Sequence, residues 1–235
     1  ILLRWFDRWL KDDEGAPLGP RVQVQDDTGR WRNASRWPAG DEVTFHLNPD
    51  GDLSRKPTRA TATELVATDP FHTQGGYENN MPTENLACAP GTCASFQSGA
   101  FEEDFRVSGL PRVELTVVPQ GPGGQLTVYL YAASEEEAQR LGWGQLDLRF
   151  RDGSVKAQPV TPGEELALSF DAQPLDAVVP EGSRLVVVVS EGSGWNRLPG
   201  APNYPIELAE GHGRSSITVV RPKPGPGAFF DPNGD

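Results

Sequence analysis

What most constrains the fold of this chain is a recurrence of short apolar runs, each closed by a turn. The runs are VQVQ (Val22 to Gln25), VTFHL (Val43 to Leu47), RVELTVV (Arg112 to Val118), QLTVYLYA (Gln125 to Ala132), QLDLRF (Gln145 to Phe150), ELALSF (Glu165 to Phe170), RLVVVVS (Arg184 to Ser190) and SITVV (Ser216 to Val220). Successive side chains of an extended chain point to opposite faces, so alternating or β-branched runs of this length read as strands. Between them stand turn signals such as Pro49-Asp50-Gly51-Asp52, Gly121-Pro122-Gly123-Gly124, Arg151-Asp152-Gly153 and Pro180-Glu181-Gly182. That spacing fits antiparallel sandwich strands and leaves no room for the helices of βαβ units. With 26 Gly and 22 Pro in 235 residues, long helices are disfavoured throughout, and the expected class is all-β. RLVVVVS is apolar on both faces and belongs at the centre of a sheet; QLDLRF alternates like a strand with one wet side.

The opening segment breaks this pattern. Leu2, Trp5, Phe6 and Trp9, with Leu3 and Leu10 at the margins, form one apolar face at helical spacing, while Arg4, Arg8 and Lys11 fall opposite and Asp7 can pair with Lys11. A helix of about 11 residues is marginal alone, and this one has no capping residue before its first apolar position. Leu2, Trp5, Phe6 and Trp9 are therefore expected to form a domain interface. Gly15, Pro17, Gly19 and Pro20 end the helix. The expected division is a helix at 1–12, a linker at 13–20, a sandwich at 21–222 and an extended Pro- and Gly-rich tail at 223–235, in which Phe229 and Phe230 can dock. Ile1 is read as a processed or truncated start. Two stretches stand apart: Asp69 to Gly99, long and polar enough to be a functional or specially pinned loop, and Ser134 to Gly142, whose Ser134/Glu137 capping box predicts one or two helical turns between strands.

A formal net charge of -12 repels nucleic acid, and no apolar stretch approaches the roughly 20 residues of a membrane-spanning helix. The only cysteines, Cys88 and Cys93, flank a Pro90-Gly91 turn that favours a local disulfide over two unpaired thiols. Zinc would need two further ligands that the sequence does not offer. A disulfide implies an oxidising compartment, hence an extracellular or otherwise extracytoplasmic location. Asn33-Ala34-Ser35 is a formal glycosylation triplet of little weight. His46, His72 and His212 have no activated nucleophile to serve, since no G-x-S-x-G elbow occurs, so no catalytic residue is expected. Asp50 with Asp52, and Asp231 with Asn233 and Asp235, resemble fragments of calcium loops, but a hairpin turn and a chain end explain them more simply; no metal or cofactor is expected. Glu135 to Glu137 read as a solvated face. Trp143 and Trp195, each beside Gly, are candidates for stacking on a glycan; the competing reading has them, with Trp31 and Trp37, plugging the sandwich ends or facing another domain.

The order of several phrases carries a family resemblance across nearly the whole chain. These are RWFDRWLK (Arg4 to Lys11), Trp37-Pro38 ahead of a strand, the Leu47 to Leu53 hairpin, FEEDFRVSGLPRVELTV (Phe101 to Val117), TVYLYAAS (Thr127 to Ser134), VVPEGSRLVVVVSEG (Val178 to Gly192) and RLPGAPN (Arg197 to Asn203). Together they resemble the C-terminal domain of X-Pro dipeptidyl-peptidase and cocaine-esterase-like (CocE/NonD) serine hydrolases, a jelly-roll sandwich related to galactose-binding domains. The resemblance implies that RWFDRWL matches the last helix of an α/β-hydrolase domain, lying after its catalytic histidine. It implies a non-catalytic domain that packs on that hydrolase, shapes the active-site entrance and supports oligomerisation. Two features depart from the family pattern: the Asp69 to Gly99 stretch with its cysteine pair, and the Ser134 to Gly142 insertion. The alternative is a processed, secreted module that self-assembles into a homo-oligomer or binds glycans.

Overall fold

The computed structural model describes residues 2–17, 19–67, 80–153, 155–192, 204–222 and 229–230. One helix, α1 (Leu2–Leu10), precedes a β-sandwich whose two layers enclose a single large core. The first layer is built around β9 (Arg112–Pro119). On one side β9 pairs with β12 (Leu166–Asp171); on the other it meets β15 (Ile206–Gly211) and β16 (Ser216–Arg221) in tandem. β3 (Asp41–Asn48) closes against β16, and β5 (Thr61–Val66) against β15. The second layer runs in the order β7 (Cys93–Gln97), β14 (Arg184–Glu191), β10 (Gln125–Ala133), β11 (Glu137–Asp147) and β6 (Asn80–Pro82). A short β4 (Asp52–Ser54) turns back on β3 and touches β7 through one parallel pair, Asp52 with Gln97, which joins the layers along a seam. β8 (Phe105–Gly109) and β13 (Leu175–Val179) form a separate two-stranded ladder.

Alternation sorts the side chains. In the first layer Phe45, Val113, Leu115, Val117, Leu208 and Ile217 point inward; Leu126, Val128, Leu130, Val187 and Val189 meet them from the second. β14 and β10 are apolar on their outer faces too, and there Val186, Val188, Tyr129 and Tyr131 join Met81, Leu86 and Cys93 in a second apolar cluster. RLVVVVS thus occupies a central strand that is dry on both sides, as its composition predicts. The outer cover comes from residues 80–93, which belong to the stretch read as a long loop; residues 69–79 of that stretch lie outside the described residues.

β15 makes a detour that shapes the surface. It leaves β9 after Leu208, follows β5 through Gly211, and the chain returns to β9 only at Ser216. Ser215 closes the gap, its Oγ donating to Ala209 O at 2.7 Å while accepting from Thr116 N at 3.2 Å. The reversal needs Gly211, whose φ is +74° and whose missing Cβ would sit 1.8 Å from Ala60 O.

A small sheet of β1 (Val22–Gln25), β2 (Trp31–Ala34) and β17 (Phe229–Phe230) flanks the sandwich. Phe229 and Phe230 pair with Arg32 and Trp31 through the backbone, which places part of the expected tail in a defined strand. Two other expectations are corrected. Ser134 to Gly142 is not helical: residues 134–137 form a tight turn in which Ser134 Oγ accepts from the backbone N–H of Glu137 at 3.0 Å, and β11 begins at Glu137. The same Ser-x-x-Glu chemistry serves a hairpin here because Ala138, fully buried opposite Ala133, extends the ladder with β10. Glu135 to Glu137 are accordingly exposed in a turn, not along a helix. QLDLRF is a strand only as far as Asp147. Its carboxylate accepts from Arg149 N at 2.9 Å and starts a 3-10 turn that drives Leu148 into the core.

Candidate functional site

Three surfaces have chemistry beyond packing. The first is α1. Its sequence is amphipathic, yet the apolar side faces solvent: Trp5 is 52% exposed, Phe6 42% and Trp9 57%, with Leu3 and Leu10 more so. Trp5 and Phe6 meet edge to face with ring centroids 5.4 Å apart. Asp7 binds Lys11 at 2.6 Å one turn on, and Lys11 N donates to Phe6 O at 3.3 Å as the helix ends. No described side chain of α1 is buried, so the helix is set out from the sandwich with an aromatic face uncovered. A contiguous face of this kind on a soluble protein marks an interaction surface. Of the four residues expected there, Trp5, Phe6 and Trp9 share the exposed face; the side chain of Leu2 lies outside the described residues.

The second is the outer face of β14, β10 and β11 and the segment that covers it. Cys88 and Cys93 are joined by a disulfide with Cα atoms 5.3 Å apart, so the local bridge is the correct reading of the CAPGTC turn. Trp143 is half-buried and packs against the apolar cluster below that segment. Trp195 falls outside the described residues, as does His72. His46 lies in β3, paired with Ser216, and His212 is exposed in the turn after β15 with φ +49°.

The third was not anticipated: a cleft of about 570 Å³ at the end of the sandwich where β15 leaves β9. Its walls include Asp50 from the β3–β4 turn, Glu64 from β5 and Glu210 from β15. Glu210 continues the inward row of Leu208, and Glu64, opposite Leu208, points the same way. Only 5% of Glu210 is exposed. Burial, aided by the negative charges of Glu64 and Asp50, pushes its carboxyl up to about 7. Asp52, by contrast, is tied down by Asn48 Nδ2 and Ser54 Oγ, each at 2.9 Å. Among the described residues no three His, Cys, Asp or Glu side chains are grouped to hold a metal ion. The sequence signal for this site was a charged residue at the parity of a core leucine, in ELAEG, and it was missed because that segment was not recognised as a strand.

Residues 15–213 match the family described as the X-Pro dipeptidyl-peptidase C-terminal non-catalytic domain. The chain belongs to that family. This X-Pro dipeptidyl-peptidase C-terminal domain is 24% identical over 243 residues to an Xaa-Pro dipeptidyl-peptidase of Lacticaseibacillus paracasei, covering 85% of this chain and 30% of that one. Its fold is similar to those of an aminopeptidase from a marine sediment Thaumarchaeota archaeon (TM-score 0.72, 15% identity, 94% of this chain and 44% of that one) and an α-amino acid ester hydrolase (TM-score 0.72, 16% identity, the same coverage). The chain spans about a third of the length of the curated relatives it matches. No helix among the described residues is long and apolar enough to cross a membrane.

Proposed function

We propose that this domain is the accessory sandwich of an Xaa-Pro dipeptidyl-peptidase-like serine hydrolase, docked on an α/β-hydrolase domain of the same precursor through α1. The observation that carries this reading is the uncovered face of Trp5, Phe6 and Trp9. Water is a poor solvent for that face, and a protein surface that covers it gains roughly 25 cal/mol per Å² removed from water. From there the sandwich would shape the mouth of the active site and support assembly of subunits, in the manner the family resemblance implies, and its likeness to galactose-binding domains would be architectural. Its Cys88–Cys93 bridge favours an extracytoplasmic setting.

The test has two parts. The 235-residue chain alone should leave an Xaa-Pro chromogenic substrate intact, and turnover by the isolated chain overturns the reading. The chain should also bind the separately expressed α/β-hydrolase domain encoded by the same gene, and lose that binding when Trp5 and Trp9 are changed to Asp. Absence of such a domain from the gene, or association indifferent to Trp5 and Trp9, refutes the docking role; self-association through the same face would favour a homo-oligomer instead.

A further inference from the structure

The cleft at the end of the sandwich has a chemistry that the docking role does not use. Glu210 is a carboxylate placed in the inward row of a core strand, 95% removed from solvent by its own residue surface, and it makes no hydrogen bond or ion pair among the described residues. Neither Glu64 nor Asp50 has a partner there either. A buried, ionisable group without a counter-charge is costly to keep, and native structures rarely keep one without a use for it. Beyond Leu208 the strand follows β5 and no longer pairs with β9, so Glu210, although in the same inward row as Leu208, lies past the end of the β9 ladder.

The opposite wall is of a different kind. It comes from residues 83–97 and contributes Leu86, Ala87, Ala94 and the Cys88–Cys93 bridge. No lining side chain is cationic, so the carboxylates have no internal counter-ion. Among the described residues no three such side chains are grouped to hold a metal ion. A ligand matched to both walls carries a positive head and an aliphatic body: the head sits among Glu210, Glu64 and Asp50, and the stem lies on the apolar side. We propose that this cleft binds an alkylammonium group, as carried by a free aliphatic amine or by a lysine side chain, with Glu210 as the principal counter-charge.

The charged groups facing Glu210 are Glu64 from β5 and Asp50 from the β3–β4 turn, and the wall of residues 83–97 adds none among the lining residues. Binding should therefore strengthen as Glu210 loses its proton. The experiment is calorimetric titration of the 235-residue chain with cadaverine and, separately, with Nα-acetyl-lysine amide at pH 8.0 and pH 5.5, repeated on Glu210→Gln and Glu64→Gln. Saturable one-site binding at pH 8.0 is expected, weakened about ten-fold or more by Glu210→Gln and by acidification, with a smaller loss in Glu64→Gln; about ten-fold corresponds to 1.4 kcal/mol. Tighter binding of cadaverine assigns the site to free amines, and tighter binding of the lysine amide to a protein side chain. The proposal is overturned if neither amine saturates at 20 mM (about ten times a millimolar-range Kd), if Glu210→Gln binds as well as the parent, or if calcium chloride displaces the amine stoichiometrically. Circular dichroism of both variants confirms folding, and neither residue belongs to the α1 face, so failure here leaves the docking role standing.

Discussion

Ser108 and Asp176 stand directly opposite each other on β8 and β13, and the Ser108 hydroxyl donates to the Asp176 carboxylate at 2.8 Å. The same carboxylate accepts from Arg106 Nε at 2.8 Å and pairs with Arg32 on β2, while Trp37 Nε1 donates to Ser108 Oγ at 2.8 Å. One buried acid therefore fastens the N-terminal hairpin to the sandwich. Burial and the neighbouring Arg106 hold the Arg32 guanidinium below its ordinary pKa, and Asp26 opposes them, so two buried acids, Asp176 and Asp26, supply negative charge here. Asp176→Ala takes from Arg32 its direct ion-pair partner and leaves Arg106 only the 3.9 Å contact with Asp26, and should destabilise the fold by about 3 kcal/mol. A urea midpoint shifted by less than a quarter of that would show that the hairpin is held by other contacts.

The Cys88–Cys93 bridge closes a loop with a separation of only five residues, so its effect on the unfolded chain is modest. Replacing both cysteines by serine should lower stability by about 2 kcal/mol. Because the bridge pins the cover over Tyr129, Tyr131 and Val188, the same variant should expose apolar surface. Denaturant unfolding and dye binding report the two effects, and unchanged dye binding would mean that the cover holds without its clasp.

Trp5→Asp combined with Trp9→Asp should leave the unfolding midpoint of the isolated chain within about 0.5 kcal/mol of the parent, since substitutions at exposed sites rarely do more. Sedimentation velocity should at the same time show any concentration-dependent association disappear. A large drop in stability would place these indoles against the sandwich in solution.

Glu210 predicts a specific pH dependence. Its carboxyl titrates near 7 in the folded protein and near 4.3 when unfolded, so the folded chain holds a proton that the unfolded chain has released between those values. The stability this confers is complete below the unfolded pKa and is lost as pH rises through about 7. Without added ligand, Glu210→Gln should remove that slope and be more stable than the parent by about 1–2 kcal/mol at pH 8, tempered by the water that reaches the open cleft. Equal pH profiles for parent and variant would show Glu210 to be solvated.

Strands that alternate cleanly were readable from residues alone. RVELTVV, QLTVYLYA and RLVVVVS each became β9, β10 and β14 almost to the residue, and the Asp-Gly signal at Pro49 to Asp52 became the turn between β3 and β4. The helix at Leu2 to Leu10 was equally plain from its spacing. What failed was short or polar. β6 and β7 lie within Asp69 to Gly99, where Asn, Pro and Gly hide a strand that exists because β11 and β14 offer it an edge. Ser134 with Glu137 misled because a local hydrogen-bond pattern shared by helix starts and hairpin turns is decided by the ladder beyond it. β15 was invisible because its final residues follow β5 away from β9, a detour set by a strand more than a hundred positions distant.

The pairing of Asp41–Asn48 with Ser216–Arg221 stitches the beginning of the sandwich to its end. A ribosome must release the chain as far as Arg221 before that seam can zip, so closure of the core layer waits on a slow, long-range search. Fragments shortened at the carboxyl side should accumulate as collapsed, protease-sensitive species, because Asp41–His46 has then lost the strand that closes it.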